Sequence, residues 1–343
     1  MSHIRALVVD DSAFMRKIIG DILNSDPEIQ VVGYARDGED AIEKVESLRP
    51  DVVTLDVEMP RLNGLGALSR IMQRTPTPVV MLSAYTDRGR RETIVALENG
   101  AVDFITKPSG EISIQLAELR DEILRKVKIA ARTRVKRLAK SATRAFTRPA
   151  ALRVKGRRRL VVIGASTGGP KALLEIMSRL PSGLPACLLL VQHMPEGFTT
   201  SFAKRLDSKS SFQVREAEDG MTLQEGVAYV APGDYHLLVN GSALNIVKGL
   251  KLHGVRPAID FTMESAALKY GENTVGVLLT GMGIDGAAGM KAIKEQGGTT
   301  IAQDEKTSLV FGMPHAAIRL GCVDEILPLQ RIPERLTAIL EGS

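Results

Sequence analysis

Two groups of residues in this 343-residue chain have the types and spacing that chemistry requires. The first centres on Ser166, in Gly164-Ala165-Ser166-Thr167-Gly168-Gly169. It follows the apolar run Leu160-Val161-Val162-Ile163 and precedes a helical stretch, Lys171 to Leu180. A strand, a tight glycine turn and a helix put a serine hydroxyl on a sharp corner, beside the unpaired N–H groups of a helix start that can receive a developing oxyanion. The same turn could cradle a phosphate, although the G-x-G-x-x-G spacing of a dinucleotide site is absent, and on this motif alone the two readings balance. Two further strand ends tip them. His193 follows the apolar run Ala186 to Gln192, and Asp285 follows Thr274 to Thr280 in the turn Gly281-Met282-Gly283-Ile284-Asp285-Gly286. Nucleophile, base and acid types then make Ser166 a candidate nucleophile, His193 its general base and Asp285 the group that orients the imidazole. Their chain order, Ser, His, Asp, is not that of the α/β-hydrolases.

The second group is Asp10, Asp11, Asp56, Ser83 and Lys107. Three carboxylates sharing a crevice need a compensating cation, and Mg²⁺ suits hard oxygen ligands with phosphate as co-ligand. An aspartate can itself accept a phosphoryl group, whose oxygens would be met by the Lys107 ammonium and the Ser83 hydroxyl. The elements needed to bring these residues together are legible. Short apolar runs at Ala6–Val9, Val31–Tyr34, Val52–Leu55, Val79–Leu82 and Asp103–Thr106 alternate with helical spacing at Ser12–Leu23, Asp40–Leu48, Leu65–Thr75 and Arg90–Asn99. That alternation predicts a parallel sheet covered on both faces, with the five polar residues at its carboxyl ends.

Val9-Asp10-Asp11-Ser12, Leu55-Asp56-Val57-Glu58-Met59-Pro60, Ser83-Ala84 and Lys107-Pro108 resemble the receiver domain of two-component response regulators. The resemblance implies that Asp56 is the phosphoacceptor, that Asp10, Asp11, Asp56 and the Glu58 backbone carbonyl hold Mg²⁺, and that Ser83, Phe104 and Lys107 form the switch. Phe104 stands where many receivers have tyrosine, which keeps the ring and removes the hydroxyl. The Ser166, His193 and Asp285 segments, with Ala231-Pro232-Gly233-Asp234 and Arg256-Pro257-Ala258-Ile259-Asp260, are similar to the chemotaxis protein-glutamate methylesterase family. This second resemblance implies a phosphorylation-activated serine esterase that demethylates glutamate methyl esters on chemoreceptors and deamidates receptor glutamines. It also implies oxyanion donors at Met282 and Thr167, no cofactor for the esterase, and a chemotaxis histidine kinase as phosphodonor.

The chain is therefore expected to be α/β throughout. A flavodoxin-like receiver with a five-stranded parallel sheet would span 1–124, a basic linker 125–159, and a doubly wound catalytic domain with a β-hairpin 160–343. The net charge of +5 belongs to the linker, where 15 Lys or Arg occur without a single Asp or Glu. The flanking parts are both net acidic, and Phe146 is the linker's only aromatic. A response regulator with a DNA-binding output domain is the alternative function, and this charge distribution and lack of stacking residues count against nucleic acid as a partner. Two cysteines without metal-ligand spacing, no signal-peptide pattern at the start and no apolar run of spanning length predict a cytoplasmic monomer without membrane insertion.

Overall fold

The computed structural model describes residues 3–107, 112–133, 135 and 159–342, with the side chains of 112–118 left aside. Pro108 and most of the expected linker lie outside the described residues. The chain forms two compact units, Met1–Thr143 and Arg144–Ser343.

In the first unit the order is β1 (Ile4–Val9), α1 (Ala13–Asn24), β2 (Ile29–Ala35), α2 (Gly38–Leu48), β3 (Val52–Asp56), α3 (Gly64–Arg74), β4 (Val79–Ser83), α4 (Asp87–Glu98), β5 (Asp103–Thr106) and α5 (Ile112–Ala131). The strands lie in the order β2-β1-β3-β4-β5, every neighbouring pair parallel. Helices on both faces bury the sheet, and every residue of β3 and β4 is buried, so these strands read as apolar runs without alternation. Helices α2, α3 and α4 start one to three residues before their apolar periodicity does. The side chains of Asp37, Asn63 and Thr86 accept the first free N–H groups there, as Ser12 does for α1. Helix α5 carries the ordered chain past residue 124. Its Lys126 pairs with Asp103 and Glu122, and its Lys128 with Asp26 and Glu28, so basic residues assigned to the linker serve the first unit.

The second unit continues with β6 (Arg159–Ala165), α6 (Gly169–Met177), β7 (Ala186–Gln192), α7 (Phe198–Asp207), β8 (Gln213–Glu216), β9 (Val227–Val230), β10 (His236–Asn240) and β11 (Ala243–Val247). There follow α8 (Ile259–Tyr270), β12 (Thr274–Leu278), α9 (Ala287–Glu295), β13 (Thr299–Gln303), α10 (Met313–Arg319), β14 (Glu325–Leu327) and α11 (Ile332–Glu341). Seven strands form a parallel sheet in the order β14-β13-β12-β6-β7-β9-β8, and β10 and β11 pair as an antiparallel hairpin. Strands β8, β9, β13 and β14 extend the sheet beyond the strands the sequence singles out, each only three to five residues long. Central strand β6 has β7 on one side and β12 on the other. The direction of winding reverses at β6, and an open parallel sheet leaves its crevice beyond the carboxyl ends at such a point.

Candidate active site

Ser166, His193 and Asp285 come from the carboxyl ends of β6, β7 and β12, the three strands that meet at the winding reversal. The turn after β6 is held tightly. Ser166 N–H donates to the Thr280 carbonyl at 3.0 Å, and Gly169 N–H donates back to the Ser166 carbonyl at 2.7 Å. Gly168 adopts φ +79°, a left-handed conformation that suits glycine, and caps α6 without a side-chain bond. The start of α6 therefore offers its N–H dipoles beside a partly exposed Ser166. Gly281 is required for a different reason: a Cβ there would lie 2.7 Å from the Ser166 Cβ and 2.4 Å from the Met313 sulfur. The backbone of the Asp285 turn thus passes directly against the serine.

Among the described residues the imidazole of His193 is bonded on one side only. Its Nε2 meets Asp285 Oδ2 at 2.7 Å, while its backbone N–H donates to the Ala165 carbonyl at 3.2 Å. Among the described residues no hydrogen bond joins Nδ1 to the Ser166 hydroxyl, a contact that often tightens only with substrate present. With Nε2 committed to the carboxylate, Nδ1 is the nitrogen available as a base.

Asp285 is 2 % exposed and has four partners. Oδ2 also accepts the Ile259 N–H at 2.8 Å, and Oδ1 accepts those of Asp260 at 3.1 Å and Gly286 at 3.0 Å. The carboxylate caps the start of α8, which has no side-chain cap of its own. Burial pushes its carboxyl up, but the His193 bond and charge and the N–H groups of Ile259 and Asp260 outweigh that and hold it below the usual value. It is an anion anchored against the His193 ring.

The proposed oxyanion donors lie in the two active turns. Met282 is exposed between Gly281 and Gly283, and its N–H has no partner among the described residues. Thr167 is buried, and its carbonyl accepts the Thr280 hydroxyl at 3.0 Å. Sequence reasoning missed Gln192, whose buried amide donates to the carbonyls of Ser166 at 3.0 Å and His193 at 3.2 Å and so ties the two turns together. A polar residue closing an unbroken apolar strand was the available signal. Of the other histidines, buried His236 braces the 249–258 segment through Leu250 and Ala258. His253 lies in a separate turn, Leu252–Val255, and pairs with Asp260.

In the first unit Asp10, Asp56, Ser83 and Lys107 stand at the ends of β1, β3, β4 and β5, and Asp10, Asp11, Asp56 and Lys107 gather there. Carboxylate oxygens of Asp10, Asp11 and Asp56 all lie within 4.8 Å of one another. Lys107 Nζ reaches Asp10 at 2.7 Å and Asp56 at 2.8 Å. One lysine does not balance three acids, and this all-oxygen donor set fits a hard divalent cation such as Mg²⁺. Burial is the main cause that raises the Asp56 carboxyl to about 6; Lys107 opposes it and the Asp10 charge adds to it. Glu58 is exposed and follows Asp56 by two residues, its N–H donating to Asp56 Oδ1 at 3.3 Å. Ser83 is buried, its hydroxyl 2.7 Å from that of Thr93 on α4. Phe104 is 3 % exposed, with the Lys126 ammonium 5.1 Å from its ring centre.

Comparison with known proteins agrees with this division. The family described as CheB methylesterase matches residues 161–336, and that described as response regulator receiver domain matches residues 6–118. A Pyrococcus abyssi protein named protein-glutamate methylesterase/protein-glutamine glutaminase is 56 % identical, the match covering 98 % of this chain and 94 % of that one. A Thermotoga maritima protein of the same name is 48 % identical over 98 % of each chain. Among solved structures, the catalytic domain of Thermotoga maritima CheB methylesterase covers 53 % of this chain and 98 % of its own, with a TM-score of 0.51 and 48 % identity.

Proposed function

The chain belongs to the CheB methylesterase family, with a receiver domain ahead of the esterase, and from that premise we infer that it is a protein-glutamate methylesterase and protein-glutamine glutaminase of chemotaxis. One observation carries the catalytic assignment: the His193 Nε2–Asp285 Oδ2 pair at 2.7 Å beside the Ser166 corner at the winding reversal. His193 Nδ1 takes the Ser166 proton, and the alkoxide attacks the ester carbonyl of a glutamate methyl ester. The tetrahedral oxyanion is met by the Met282 N–H and the Thr167 turn. The imidazolium, stabilised by Asp285, protonates the departing methoxide, and methanol leaves an acyl-enzyme. Water activated by the same nitrogen attacks the acyl carbon, frees the glutamate carboxylate and returns the proton to Ser166. A glutamine side chain follows the same course with ammonia as leaving group.

Asp56 is the phosphoacceptor, with Asp10, Asp11 and the Glu58 carbonyl completing the Mg²⁺ ligands. When bound, the ion neutralises phosphoryl charge as it transfers. Lys107 holds a phosphoryl oxygen, and Ser83 leaves Thr93 to meet another while Phe104 follows. Phosphorylation by a chemotaxis histidine kinase activates the esterase towards methyl-accepting receptors, and in this reading the enzyme is a cytoplasmic monomer. A DNA-binding output domain is not favoured, because the methylesterase match occupies residues 161–336. Methanol release from a methylated receptor, with and without acetyl phosphate, tests the proposal. Release that is absent under both conditions, or insensitive to the donor, contradicts it.

A further inference from the structure

Resting on that reading of the esterase, we propose that Asp260 is a positioning residue for catalysis, a second buried carboxylate, held by His253, whose charge supports the Asp285–His193 pair. The two acids are built into crossed helix caps. Asp285, just before α9, accepts two N–H groups from the start of α8; Asp260, in the first turn of α8, accepts the Gly289 N–H of α9 at 2.7 Å. Gly289 permits this approach, since a Cβ there would lie 2.4 Å from the Met263 Cβ and 3.2 Å from the Asp260 Cα. Oxygens of Asp260 and Asp285 and a ring nitrogen of His253 all lie within 4.8 Å of one another.

His253 is presented deliberately. Its Nε2 is 3.3 Å from Asp260 Oδ2, and its backbone takes φ +52°, which costs a residue with a Cβ conformational energy. The tight Leu252–Val255 turn enforces that conformation, and Arg256 pins it through Asp234 and the Gly249 carbonyl. Nothing in the Ser166 reaction as drawn requires this second acid–imidazole pair. Burial pushes the Asp260 carboxyl up, the Gly289 N–H opposes, the Asp285 charge adds to the rise, and His253 pulls it back. Besides Asp285, His193 and His253, Glu264 on α8 is a charged group among the described residues that senses both carboxylates, and burial followed by their charges raises it too.

An ionised Asp260 adds negative potential behind Asp285 and favours the imidazolium that His193 becomes in the transition state. The test is the pH profile of kcat/KM for methanol release by the full chain with phosphodonor. Asp260→Asn keeps an oxygen for the Gly289 N–H and removes the charge. Its acid limb should move to lower pH by roughly half a unit, and its plateau should fall about three- to ten-fold. His253→Gln, at an exposed turn, removes the partner that pulls the Asp260 carboxyl down, so Asp260 takes up its proton more readily and the limb should move the same way by less. The double variant should match Asp260→Asn alone, because His253 acts only through Asp260. A merely structural Asp260 would lower the rate evenly and leave the limb in place, which overturns the proposal. So does an unmoved or upward-shifted limb in His253→Gln, a result that stands even if Asp260→Asn fails to fold. Ser166→Ala, run alongside, separates the two readings: if it retains methanol release, the site assignment has failed, and not the role of Asp260 within it.

Discussion

Replacing Asp285 by asparagine sets four hydrogen bonds against one amide. Oδ1 serves the N–H groups of Asp260 and Gly286, and Oδ2 serves Ile259 N–H and His193 Nε2. Asparagine has a single oxygen. With that oxygen at the Oδ1 place, one N–H, that of Ile259, faces an amide donor. With it at the Oδ2 place, two do. Each buried donor left unpaired costs about 1–3 kcal/mol, so the first orientation dominates by roughly ten-fold or more. In that orientation the amide donates to Nε2, which forces the imidazole proton onto Nδ1, the nitrogen that must receive the Ser166 proton. Loss of the charge-assisted bond to the imidazolium costs a further 1.5–3 kcal/mol, roughly. Together these amount to about 2.5–6 kcal/mol, or a loss of about 10²- to 10⁴-fold in kcat/KM for methanol release. The unpaired Ile259 N–H should also lower the melting temperature of the catalytic unit by several degrees, a shift of about 2–4 °C per kcal/mol for a domain of this size. A folded Asp285→Asn enzyme that keeps more than a tenth of the wild-type kcat/KM would refute the tautomer argument and the role assigned to Asp285.

Ser166→Ala should remove methanol release to background while the calorimetric melt stays nearly unchanged, since the hydroxyl is at a partly exposed corner and makes no hydrogen bond among the described residues; a residual rate near wild type would assign the nucleophile elsewhere. Gly281→Ala should cost about 1–3 kcal/mol in stability by overpacking and roughly 10²-fold in kcat by pushing Ser166 aside, read from a melt and from turnover. Asp56→Asn should abolish stimulation by acetyl phosphate, and stimulation that persists would mean another acceptor. The Asp56 carboxyl, at about 6 when folded against 3.8 unexposed to these forces, binds its proton more tightly in the native state. Stability of the first unit that is present below about pH 4 should therefore be lost as pH rises through about 6, by up to about 3 kcal/mol. Calorimetry should show that slope flattened in Asp56→Asn, and Mg²⁺ at neutral pH should restore stability to the wild type far more than to the variant.

The individual reactive groups were legible because each is announced locally. An apolar run that breaks at a polar residue marks a strand end, and His193, Asp10, Asp56, Ser83 and Lys107 stand at such ends, while Ser166 and Asp285 stand in glycine turns that follow one. Parallel packing then brings strand ends to one edge whatever the detailed geometry. Helix starts were misjudged by one to three residues because capping side chains, and not apolar periodicity, decide them. The basic stretch from residue 125 shows charge density correctly but cannot show that Lys126 and Lys128 have acids waiting on β5 and beside β2.

What only the tertiary structure decided depends on contacts between distant parts of the chain. Asp285 reaches His193 across 92 residues and the α8 N–H groups across about 26, and it is this pairing that commits Nε2 and leaves Nδ1 free for the role proposed for it. Gln192 ties two turns 26 residues apart, and Asp260 meets Gly289 across 29. A sequence records which donors and acceptors exist and which turns expose them. Which oxygen meets which N–H is settled by the packing of α8 on α9 and of β6 between its neighbours, where a gap of a few ångströms separates a satisfied carboxylate from an orphaned one.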